Sequence, residues 1–127
     1  MKLIQTIGIF GGILIATTAY SAGSLVDQYK QMGSVAGLAE ICYGSTKIPE
    51  SLSRTVEKAL EKNPEIAETM KALISEYDGA YKFSGINNKI WNGTLQSYSE
   101  PFTCTVAKDE QMIRALESKI IESLDNQ

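Results

Sequence analysis

The sequence predicts an all-α protein: a small up-down four-helix bundle-like domain closed by one disulfide and preceded by a signal peptide. Three observations carry that reading. Four segments repeat apolar residues at spacings of three and four, which places them on one helix face. The best candidate for a strand pair is an isolated Asn-Gly stretch, and a lone hairpin is marginal in water. An uncharged, mostly apolar segment near the N-terminus, Leu3–Ala16, precedes the chain's two cysteines, Cys42 and Cys104.

Residues 1–21 have the three parts of a secretory signal. Lys2 is the positive end, Leu3–Ala16 the uncharged apolar segment, and Ala19-Tyr20-Ser21 the small-residue cleavage pattern. The alternative is a retained N-terminal anchor, since no charge falls between Lys2 and Asp27 and about 20 residues can cross a bilayer. Glycines, threonines and Gln5 dilute that segment and favour cleavage. Residues 22–127 are then a single helical domain, large enough for one modest core. They carry 11 Lys/Arg against 15 Asp/Glu, a net charge of −4. The signs are mixed and no basic run occurs. That disfavours nucleic acid, whose phosphates need a clustered basic face, and an anionic membrane surface, unless the N-terminal segment is retained.

The first helix is expected over Leu25–Tyr43. Ser24 is its N-cap, Asp27 suits its first turn, and Gly44 suits a left-handed end. Leu25, Tyr29, Met32, Ala36, Ala39 and Cys42 share one face, widened by Val35, Leu38 and Ile41. The second is expected from Pro49 to Asn63, with a narrow stripe of Leu52, Val56 and Leu60. Asn63 then caps a third helix with Pro64 at its first position. Its stripe is Ile66, Met70, Leu73, Ile74, Tyr77 and Tyr81, running to Phe83 and as far as Trp91 at the limit. Ser84–Ser99 reads as a helix end plus loop, with a tight hairpin on Asn92-Gly93 as the alternative. Asn92-Gly93-Thr94 also fits the glycosylation acceptor pattern. The last helix is expected from Pro101 to Leu124, with Cys104 in its first turn and Met112, Leu116, Ile120 and Leu124 on its inner face.

Up-down packing brings the end of the first helix and the start of the fourth to one level. Cys42 and Cys104 meet there without adjustment, as a disulfide requires. An oxidising compartment, periplasm or extracellular space, makes an even pair a bridge.

Catalysis is not expected. The chain has no histidine, which removes the commonest general base and metal ligand. Pairing the cysteines removes thiolate chemistry, and no catalytic or phosphate-binding motif occurs. No cofactor or metal is implied. Glu57, Glu61, Glu65 and Glu68 read as a solvated face; Glu40, among apolar neighbours, is the one carboxylate worth testing for burial.

Binding is the better expectation. Tyr77, Tyr81, Phe83, Trp91, Tyr98 and Phe102 crowd into one stretch, and aromatics dominate both cores and interface hot spots. Tyr77 and Tyr81 fall on a core stripe. Trp91, Tyr98 and Phe102 flank the irregular loop and are the candidate partner-binding residues. The sequence therefore points to a non-enzymatic protein that binds another envelope or extracellular protein as an accessory, inhibitor or regulator. The alternatives are a small-ligand or lipid-binding module, with a cavity lined by Met32, Met70 and Met112, and an acid-stress chaperone.

Overall fold

The computed structural model describes residues 24–126. The leader expected over residues 1–21 lies outside the described residues. Among the described residues four α-helices form: α1 (Leu25–Tyr43), α2 (Lys47–Lys62), α3 (Ala67–Asn87) and α4 (Ala107–Asp125). Between α3 and α4 lies a hairpin of two short strands, β1 (Trp91–Asn92) and β2 (Ser97–Tyr98).

Both ends of α1 are as its sequence dictates. Ser24 Oγ accepts from the Asp27 N–H while the Asp27 carboxylate accepts from the Ser24 N–H, a reciprocal capping box. Gly44 closes the helix at φ 67°, its N–H on the carbonyls of Ala39 and Glu40. From Asp27 to Ala39 every residue but Lys30 is buried. α1 is thus the axis of the molecule. Its widest contact is with α3, while α2 packs on α4 and α4 also reaches α1. Gly33 lies against the Tyr77 backbone, and Gly37 against Tyr81 and Gly85, so α1 and α3 run parallel and almost backbone to backbone.

α2 begins two residues before the expected Pro49, and its buried face is turned relative to the expected stripe. Ile48, Ser51, Leu52 and Thr55 point inward, whereas Val56 and Leu60 are only half-buried. Hydroxyls explain the turn. Ser51 Oγ donates to Asp125 Oδ1 at 2.6 Å, and Thr55 Oγ1 lies 3.2 Å from the Leu124 carbonyl, near the unsatisfied end of α4. Asn63 makes no side-chain cap; a 3₁₀ turn, Pro64–Ile66, leads into α3 instead. α3 ends at left-handed Asn88, φ 57°, short of Trp91.

Two expectations are corrected beyond that point. The hairpin forms, pairing Trp91 with Tyr98 and Asn92 with Ser97. Its loop is not a two-residue Asn-Gly turn: the Asn92 carboxamide oxygen accepts from Thr94 and Leu95 N–H, and Gln96 takes the positive φ of 54°. The fourth helix starts at Ala107, not near Pro101, which leaves Cys104 in a turn before it. Phe102 exchanges hydrogen bonds with Asn88, N–H to carbonyl at 2.7 Å and carboxamide to carbonyl at 3.3 Å, so this segment is tied to α3's end rather than coiled. The Asp109 carboxylate accepts from the Thr103 N–H at 2.8 Å. The buried face of α4 is Ile113, Leu116, Glu117, Ile120 and Leu124; Met112, expected inside, is 40% exposed.

The disulfide joins Cys42 to Cys104 with a Cα–Cα distance of 5.3 Å. Tyr43 Oη donates to the Cys104 carbonyl at 3.2 Å and holds the same two segments together. Among the described residues no helix is long and apolar enough to cross a membrane.

Candidate functional site

A two-stranded hairpin needs outside support, and α1 supplies it through a buried polar row. Asp27 Oδ1 accepts the Trp91 indole N–H at 2.9 Å, and Ser34 Oγ accepts the Trp91 backbone N–H at 3.1 Å. Lys30 Nζ stands 3.6 Å above the indole centroid, a cation–π contact. Gln96 Nε2, from the loop, reaches Asp27 Oδ1 at 3.0 Å and the Gly93 carbonyl at 2.8 Å. Asp27 therefore caps α1 and anchors the hairpin at once. Burial alone would raise its pKa, but the hydrogen bonds from Trp91, Gln96 and Ser24 outweigh that and hold it below the ordinary carboxylate value.

Against this clamp the aromatics stack outward. Tyr98 meets Trp91 edge-on at 5.1 Å and lies tilted on Phe83 at 4.2 Å. At the base of the hairpin, Ser99 and Ile90 exchange two hydrogen bonds. The loop is thus fixed on both edges before anything binds.

Of the three candidate partner-binding residues, Trp91 and Phe102 are buried, and Tyr98 is half-buried. Trp91 and Phe102 hold the hairpin and the segment after it in place. Beside them a groove of about 390 Å³ opens between the hairpin and the start of α4. Its apolar lining is Leu95, Tyr98, Pro101, Phe102 and Met112, with Leu95 70% exposed. Glu100 and Asp109 supply the charge, both negative. Leu95 was not legible as a site residue, being a single apolar side chain that only the loop's fold brings to the groove; Met112 was expected to line a cavity between helices and lies instead at this surface groove.

Glu40 is exposed, as are Glu57, Glu61, Glu65 and Glu68. The buried glutamate is Glu117, which accepts from Ser45 Oγ. Met32 and Met70 pack in the core, whereas Met112 lines the surface groove. Among the described residues no three His, Cys, Asp or Glu side chains are placed to hold a metal ion.

The chain matches no protein-family model, and neither a curated protein nor a solved structure shows detectable similarity to it.

Proposed function

We propose that this chain is a small exported, non-enzymatic protein that binds another protein of the cell envelope or extracellular space, acting as an accessory subunit, inhibitor or regulator. The observation that carries the reading is the hairpin groove: Leu95, exposed on a loop that Asp27 and Ser34 anchor, shares it with Met112, exposed on α4, and Asn88 ties down the Phe102 segment between them. Preorganised loops lose little conformational freedom on binding, and apolar anchors ringed by polar groups are the common form of an interface hot spot. Leu95 and Met112 are the exposed anchors and Tyr98 the wall between them. Export is supported by the leader-like residues 1–21 and by a disulfide, which persists in oxidising compartments.

The test is photo-crosslinking in the native host, because replacing buried Trp91 or Phe102 would disturb the fold itself. A benzophenone side chain at position 95 or 112 should give one discrete covalent adduct with a second protein, and the same probe at exposed Glu122 should not. Adduct formation at position 95 should fall several-fold in a Tyr98→Asp background. Equal labelling at all three positions, or none at 95 and 112, overturns the assignment of this groove.

A further inference from the structure

We propose that the cleft between α2 and α3 is a second binding site, for a helical segment of a partner protein whose apolar face is flanked by lysine or arginine. The cleft exists because α2 is turned. With the Ser51 hydroxyl bonded to Asp125 and Thr55 buried beside the Leu124 carbonyl, Val56 is left half-buried at the edge facing α3, where Ile74 is half-buried as well. Leu52 and Tyr77, both buried, complete the apolar lining of a space of about 310 Å³. This is a different face of the molecule, built by different elements, from the hairpin groove.

Size and charge select the occupant. The α2 side of the cleft runs from Pro49 to Glu57, roughly 12 Å at the helical rise per residue, or about two turns. Two turns of a helix lying in the cleft present apolar side chains one turn apart, the helix-in-groove mode of recognition. The two charged side chains lining the cleft, Glu57 and Asp78, are both exposed acids. A fatty acid, an acidic peptide or a second copy of this net-acidic chain brings the wrong charge; a basic amphipathic helix brings the right one.

The probe is an amidated leucine–lysine peptide of about 14 residues, long enough to be helical, with its leucine–glutamate counterpart as control. In a two-dimensional amide NMR titration of the oxidised protein, the lysine peptide should saturate with shifts confined to the neighbourhood of Leu52, Val56, Ile74 and Tyr77. The Glu57→Lys/Asp78→Lys double variant should bind it at least about tenfold more weakly. Leu95→Asp, in the other groove, should leave the affinity unchanged. Should the charge reversal perturb folding, Glu57→Gln/Asp78→Asn carries the same test with a smaller loss. Shifts scattered over the surface, equal binding of the two peptides, or variants that bind as the parent does would each overturn the proposal.

Discussion

Asp27 is the side chain on which most of the hairpin's geometry converges. Its carboxylate takes hydrogen bonds from the Ser24 N–H, the Trp91 indole and the Gln96 carboxamide. Hydrogen bonds to a charged acceptor are worth about 1.5–3 kcal/mol each where both partners are shielded. Because these bonds hold the native pKa below the ordinary 3.8, Asp27 contributes stability that is fully present above about pH 4 and is lost as pH falls through the depressed native value. Asp27→Asn keeps the shape and removes the charge. Urea midpoints compared at about pH 5 and about pH 2 should therefore show a large deficit for the variant at the higher pH and a smaller one at the lower. Trp91 is the chain's one tryptophan, so its emission reports hairpin docking and should shift to the red in the variant. A deficit of the same size at both pH values would mean that the loss comes from the changed shape of the hydrogen-bond network and not from the carboxylate's charge.

At the scale of the elements, the closest packing in the molecule is the α1–α3 contact, and two glycines set it. A methyl at Gly33 would collide with the Tyr77 carbonyl, and one at Gly37 with the Tyr81 carbonyl. The obstacle in each case is backbone, which cannot swing aside. Gly33→Ala and Gly37→Ala should each cost about 2–3 kcal/mol or more, against the fractional gain alanine normally brings inside a helix. Gly79, on α3 with open space where its Cβ would stand, is the control and should be stabilised by Ala. Thermal unfolding of the three variants separates the two outcomes. The same pair marks what periodicity could and could not convey. Leu25–Tyr43 was legible to the residue, because cap, stripe and terminating glycine all agree there. The closeness of α3 was not, since an apolar stripe says which side is inward and nothing about how near the neighbour comes. The hairpin was undervalued for a related reason: a two-residue strand pair is unstable alone, and the support from Asp27 and Ser34 lies about 60 residues away in sequence. For α2 and α4 the stripes were placed but their centres were not, because Ser51, Thr55 and Glu117 are polar residues buried by hydrogen bonds that pattern alone does not reveal.

For the whole molecule the decisive constraint is the bridge between Cys42 and Cys104. It ties the last turn of the central helix to the segment that leads from the hairpin groove into α4. Sixty-two positions separate the two residues, and closing a loop of that length removes about 4 kcal/mol of unfolded-state entropy in the chain-entropy account. A domain of this size has a total stability of about 5–15 kcal/mol, so the bridge supplies a large share of it. Reduction, or the Cys42→Ala/Cys104→Ala variant, should therefore raise the unfolded fraction up to about a thousandfold. The urea midpoint measures this directly, and the two treatments should agree. Such dependence gives the compartment a physical meaning: a chain that loses this much stability when reduced is suited to an oxidising space and poorly suited to a reducing one. The loss should also spread unevenly. Amides of residues 100–106, which the bridge fixes from one side, should exchange faster on reduction than those of Met32–Ala39 at the core of α1. Should reduction cost less than about 1 kcal/mol, the helices alone hold the fold, and the energetic argument for an exported protein goes with it.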